Sequence, residues 1–190
     1  MRSEQELLID CLERLNRVGI AYMLVGSMAS NFWGIPRSTH DLDFVVAMRQ
    51  ADVEALATAF EEGFFIQVES IRCAFAPPYQ FNAIDDLSAL KVGFWNLTHE
   101  PFEHGAFNRR QQVKLINTPA WITTAEDVIL HKLYWNKLSP SSRQLFDAAG
   151  VYTIQREALD MPYLRHWATA LDVSAELDGL IAGRIKPKST

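Results

Sequence analysis

Two aspartates separated by one residue, Asp41 and Asp43, are the side chains of this sequence best suited to chemistry. In an extended segment residues two apart point the same way, so both carboxylates crowd one small region. Like charges that close repel and raise each other's pKa, and a divalent cation resolves the conflict. Mg2+ suits such a pair, because it prefers hard oxygen ligands and takes one or two carboxylates together with waters and phosphate oxygens. Earlier in the chain, Gly26-Ser27 closes an apolar run and opens a short helix. Backbone N–H groups at a helix N-terminus seat a phosphate, the glycine lets it approach, and the serine hydroxyl adds a donor. Each feature has a plainer reading: a solvated strand end for the aspartates, an N-cap for Ser27. Together they describe a phosphate seat followed by a paired-carboxylate strand.

The elements that must position these residues are legible from periodicity. Leu7, Leu8, Cys11, Leu12, Leu15 and Val18 recur at helical spacing over residues 3–18, with Ser3 and Glu6 as a capping box. Residues 21–25 read as a buried strand, 28–33 as a short helix stopped by Gly34 and Pro36, and 42–46 as a second strand. A helix is predicted over 50–62, with Val53, Leu56, Ala57 and Phe60 inward. Strands are predicted over 64–68, 80–84 and 89–95, the last two a hairpin about Asp85-Asp86. A further hairpin over 112–122 turns at Asn117-Thr118-Pro119. His99 and His104 are expected in a loop, with no zinc-ligand spacing. From Thr123 onward only helices are predicted: 124–138, about 141–150, one near 160–162 and one near 174. Thr123 with Glu126 reads as a capping box. This pattern implies an α/β (α+β) chain, a small mixed β-sheet with flanking helices and a helical C-terminal part. The boundaries expected are 1–122, 123–185 and a tail at 186–190.

Composition narrows the partners. At 190 residues and 48% hydrophobic, the chain can bury a full core. Residues 1–100 carry 7 Lys and Arg against 14 Asp and Glu, so the first half offers no basic face to nucleic acid. An acidic half can instead hold cations that hold phosphates. The opening residues are charged where a signal peptide needs an apolar run, and no stretch approaches the roughly 20 apolar residues of a membrane span. The expectation is a cytoplasmic protein with no membrane partner. Cys11 and Cys73 lie in apolar surroundings and read as core thiols.

The run from Val25-Gly26-Ser27 to Asp41-Leu42-Asp43 resembles the signature of the DNA-polymerase-β-like nucleotidyltransferase superfamily. Within it, Arg37-Ser38-Thr39-His40-Asp41-Leu42-Asp43 looks like the pattern of the abortive-infection and toxin-type branch. The resemblance continues at residues 126–133 and, loosely, to Asp147 and residues 163–168. It implies the nucleotidyltransferase fold and attack on the α-phosphorus of a metal-bound nucleoside triphosphate. By resemblance Gly26 and Ser27 hold triphosphate oxygens, and Asp41 and Asp43 bind Mg2+. Arg37 either reaches phosphate or braces Asp41, and Lys132 either faces the nucleotide or is a surface lysine. The acceptor is an RNA, a protein or a small molecule. An antitoxin protein is a further partner if the chain is the toxin of a toxin–antitoxin pair.

One position departs from the superfamily. Where a third aspartate is usual on a neighbouring strand, Lys91-Val92-Gly93-Phe94-Trp95 has Gly93. The glycine is expected to leave a solvent-facing gap the size of a carboxylate, so that Gly93→Asp would raise transfer. Asp85, Asp86 and Glu69 are the candidate substitutes. A catalytically impaired protein that works by nucleotide or partner binding is the alternative.

Overall fold

The computed structural model describes residues 2–188, so Ser189 and Thr190 of the expected tail lie outside the described residues. The chain divides into two units, residues 2–26 with 39–122 and residues 27–38 with 123–188.

The first unit is built on a sheet of seven strands: β1 (Tyr22–Val25), β2 (Leu42–Val46), β3 (Phe64–Phe65), β4 (Gln80–Asp85), β5 (Lys91–Asn96), β6 (Gln111–Leu115) and β7 (Thr118–Ile122). Their order is β3-β4-β5-β2-β1-β7-β6. The sheet is mixed: β1 runs antiparallel to β2 and parallel to β7, while β2 runs parallel to β5. Alternation along the two central strands separates core from chemistry. Phe44 and Phe94 are in register and stack at 5.7 Å. Phe81 of β4 stacks on Phe94 at 5.0 Å. Phe60, on the helix α3 introduced below, meets Phe94 edge-on at 5.3 Å. All four rings are buried, each contributing about 1.5–3 kcal/mol of apolar burial. One residue earlier in β2 and β5, Asp43 and Gly93 are also in register and fall on the opposite face. Farther along that second face, Met23 and Val45 pack with Phe107.

Helix α1 (Glu4–Val18) carries the predicted capping box and buries Leu7, Leu8, Cys11, Leu12 and Leu15. Helix α2 (Gly26–Trp33) starts two residues before the expected 28, directly at the end of β1. Helix α3 spans Val53–Glu61 and buries the four residues predicted to face inward. Two helices were not foreseen. The strand expected over 64–68 stops at Phe65, and α4 (Val68–Cys73) follows, buried through Ile71 alone, too sparse an apolar pattern to betray a helix. The loop expected around His99 and His104 contains α5 (Pro101–Arg109), which supplies Phe107 to the second face. Its Pro101 sits in the first turn, where the missing N–H costs nothing. Cys11 is a core thiol, pushed up by burial, but Cys73 is exposed.

The second unit is helical: residues 27–33 of α2, then α6 (Ala125–Leu138), α7 (Ser142–Gln155), α8 (Met161–Ala170) and α9 (Ser174–Ile181). The early segment is tied to the late helices by backbone carbonyls. Trp33 donates through Nε1 to Thr123 O at 2.7 Å, and Gln155 Nε2 donates to Trp33 O at 2.8 Å. Asn31 closes the following loop, donating to Arg37 O at 2.7 Å and accepting from Arg37 N at 3.1 Å.

The cap of α6 is one residue later than expected. Thr124, not Thr123, is the N-cap; its Oγ1 accepts from Asp127 N and donates to Asp127 Oδ2 at 2.7 Å. Asp127 is fully buried, and Tyr163 OH donates to its Oδ1 at 2.7 Å. Glu126 accepts from Asp160 N at 3.0 Å, so both acids of this turn serve to fasten the start of α8. Tyr163→Phe is expected to lower stability by about 1.5–3 kcal/mol, the worth of a hydrogen bond to a charged group. Urea unfolding measures it, and an unchanged midpoint would refute the role given to that hydroxyl. Among the described residues no helix is long and apolar enough to cross a membrane.

Candidate active site

The residues singled out by sequence divide between the units: Gly26, Asp41 and Asp43 belong to the first, Ser27, Arg37 and Lys132 to the second. Gly26 and Ser27 are consecutive, so one peptide bond joins the two sets.

In the first set, Asp43 pairs across β2 with Val25 on one side and Gly93 on the other. Its carboxylate reaches both neighbouring strands. A Cβ added at Gly26 would stand 2.7 Å from Asp43 Oδ2, and one added at Gly93 would stand 2.6 Å from Oδ1. Gly26 also has φ +67°, a left-handed conformation that other residues resist. The turn that ends β1 and the aspartate of β2 are therefore in direct contact. Asp43 is half-buried, whereas Asp41 is exposed and lies one residue before the strand, its N–H donating to Thr39 Oγ1 at 3.3 Å.

The second set is an ion-pair network on a residue to which sequence reasoning gave no role. Arg37 grips Asp147 with two bonds, Nε to Oδ1 at 2.7 Å and Nη2 to Oδ2 at 2.8 Å. The same Nη2 donates to Ser27 Oγ at 2.9 Å. Lys132 Nζ donates to Asp147 Oδ2 at 2.9 Å. Arg37 was expected to reach phosphate or to brace Asp41; the bidentate partner found for it is Asp147. Lys132 is no surface lysine, for its side chain is only 8% exposed, and that of Asp147 only 5%. Burial pushes the Asp147 carboxyl up, but the hydrogen bonds and charges of Arg37 and Lys132 outweigh it and hold it below the usual carboxylate range. Sequence reasoning reached Asp147 only through the loose resemblance, without a role; its setting, an acid followed by Ala148-Ala149-Gly150-Val151, is a further signal.

Gly93 is buried, not the open gap that was expected, and the space beside it is filled by Asp43. The atoms that a side chain at Gly93 would meet first belong to Asp43 and Leu42, not to Asp85, Asp86 or Glu69. Asp85 is fully buried, bound to Arg2 at 2.7 Å and to Ser88, and these bonds overcome burial to hold it below the usual range. Glu69 pairs with Arg72 at 3.1 Å on the surface, and Asp86 is exposed. Among the described residues no three His, Cys, Asp or Glu side chains are grouped to hold a metal. A donor set of one half-buried and one exposed carboxylate fits Mg2+ that keeps waters and phosphate oxygens; it does not fit a fully protein-ligated ion.

No family model matches this sequence, and no curated protein matches it. Solved structures do. The solution structure of the antibiotic-resistance factor ANT(2'')-Ia matches with a TM-score of 0.64 at 12% identity, over 95% of this chain and 96% of that one. The crystal structure of ANT(2'')-Ia in complex with adenylyl-2''-tobramycin matches with a TM-score of 0.62 at 13% identity, over 90% and 98%. An antigenic nucleotidyltransferase-like protein from Paracoccidioides brasiliensis matches with a TM-score of 0.56 at 12% identity, over 98% and 94%.

Proposed function

The chain has the nucleotidyltransferase fold, and from that premise we propose that it moves a nucleoside monophosphate from a nucleoside triphosphate to an acceptor hydroxyl. The observation that carries the reading is the contact of Asp43 with the Gly26 turn, both carboxylate oxygens lying where flanking glycines lack side chains. It supports the reading because a carboxylate able to hold a cation lies against Gly26, the residue that opens a helix suited to phosphate.

In this reading Asp43 and Asp41 hold Mg2+, which when bound neutralises phosphate charge and favours attack on the α-phosphorus. Gly26 and the first N–H groups of α2 receive triphosphate oxygens, with the Ser27 hydroxyl as a further donor. Arg37 holds Ser27 in place through Oγ, and together with Lys132 puts two cations on one carboxylate. The surplus positive charge favours a polyanion. The acceptor oxygen bonds to the α-phosphorus, the bond to the bridging oxygen breaks, and pyrophosphate leaves. Such a reaction is that of a cytoplasmic enzyme acting on RNA, protein or a small molecule. The adenylyl-2''-tobramycin seen with one structural neighbour favours testing small molecules first. The likeness of residues 37–43 to the toxin-type branch adds an antitoxin protein as a partner to be sought.

A second reading rests on Gly93: a catalytically impaired protein that binds nucleotide or a partner. Incubation with each nucleoside triphosphate labelled at the α-phosphate, Mg2+, and tobramycin, total RNA or lysate protein separates the two. Label is expected in one acceptor class. Label in none, with nucleotide still bound, would put the second reading in place of the first.

A further inference from the structure

Gly93 has the position of a missing ligand but the surroundings of a spacer. It lies inside β5 between Val92 and Phe94, both good strand formers, where glycine weakens a strand and marks a close approach. Its φ is outside the left-handed region, so its backbone would accept any residue. What forbids a side chain is Asp43: Oδ1 is 2.6 Å from the Cβ position, nearer than real Cβ atoms come, and Cγ is 3.7 Å away. On the other side, at the first residue of α2, the Gly26 position stands 2.7 Å from Oδ2, 3.2 Å from Asp43 Cβ and 3.4 Å from Cγ. The carboxylate is bracketed on both sides by backbone without side chains.

We propose that Gly93 and Gly26 are positioning residues, which fix the Asp43 carboxylate toward its cation by leaving the room its two oxygens occupy. Resting on the reading of Asp43 as a metal ligand, this goes beyond it by assigning a role to Gly93. The position usual for a third carboxylate has here been given over to orienting the second. An acid at position 93 would displace Asp43 and set two negative charges within contact, so Gly93→Asp lowers transfer; it does not restore it. The atom that must yield is the end of a flexible side chain, so the fold tolerates alanine while the carboxylate turns away.

The test is Gly93→Ala, with Mn2+ as the probe in the presence of a non-hydrolysable nucleoside triphosphate. Crystal structures of wild type and variant are expected to show the Asp43 carboxylate displaced, and Mn2+ affinity is expected to fall about 10–100-fold, the usual effect of removing support from a ligand. In an Asp43→Asn background Gly93→Ala is expected to change Mn2+ affinity no further, because the two act through one group. An unmoved carboxylate, an unchanged affinity, or a full additive loss in that background would each overturn the proposal. If the wild type binds no Mn2+ with nucleotide, the metal reading of Asp43 fails, and the crystal structures alone decide whether Gly93 positions it. If Gly93→Ala does not fold, Asp43→Ala in the same chain is expected to restore folding by removing Oδ1. Failure to restore it would show that the room at Gly93 is not kept for Asp43.

Discussion

Asp147→Ala is expected to destabilise the protein by about 3–5 kcal/mol, the range for a buried ion pair broken on one side. The substitution leaves two cations without their shared carboxylate, and they are not equally able to recover. Arg37 has a side chain 28% exposed and can turn toward water, whereas Lys132 at 8% cannot. The buried ammonium therefore carries most of the effect. Asp147→Leu combined with Lys132→Met is expected to regain most of the loss, since matched apolar groups of similar size often replace a buried pair at little cost. A variant within about 0.5 kcal/mol of wild type in chemical unfolding, the range of an ordinary surface substitution, would refute the network's importance. The same carboxyl shapes the response to acid. Its folded-state value is below the ordinary aspartate value of about 3.9. As pH falls the unfolded chain takes up this proton first, so the contribution is complete above that value and is lost as pH falls through the folded-state value. Below about pH 4 wild-type stability should decline more steeply than that of Asp147→Asn.

Asp43→Asn is expected to lower kcat at least about a hundredfold, roughly 2.7 kcal/mol on the barrier, because in the proposed function a metal ligand loses its charge. The amide matches the carboxylate in shape, so it keeps the contacts with the Gly26 and Gly93 positions and the fold with them. Asp43→Glu is expected to fare no better, since its longer side chain must find room where both oxygens are already against backbone. Steady-state transfer measured across a Mg2+ titration checks both variants. Transfer by Asp43→Asn within about threefold of wild type, less than 1 kcal/mol, would remove Asp43 from the chemistry.

How far the sequence foretold the molecule differs by residue. Helix α1, strand β2 and the inward face of α3 were legible because each shows an apolar repeat matching its geometry. Helix α5 was not, because Pro101, His104 and Gly105 read as loop residues while the burial that stabilises the helix comes from Phe102, Ala106 and Phe107. Gly26 and Asp43 could be paired by motif, but the reason for Gly93 could not: register places it beside Asp43, and register depends on long-range pairing. Asp147 was reached only by a loose resemblance, and its role was hidden for a like reason. Its two cations come from positions 110 and 15 residues earlier, and no local pattern encodes such a convergence.

The bond from Gln155 to Trp33 spans 122 positions of the chain, and this has a bearing on how the protein is made. Residues 27–38 leave the ribosome between two strands of the sheet, yet Thr123, Asp147 and Gln155, to which they bond, are translated much later. At about 5–20 residues per second, roughly 6–24 s pass between synthesis of Trp33 and of Gln155. Within that interval Arg37 waits 110 residues for Asp147. A nascent chain halted after residue 122 would hold every strand of the sheet, with the segment beginning at Ser27 still uncommitted. Residues 27–38 thus wait for partners that are made long after them.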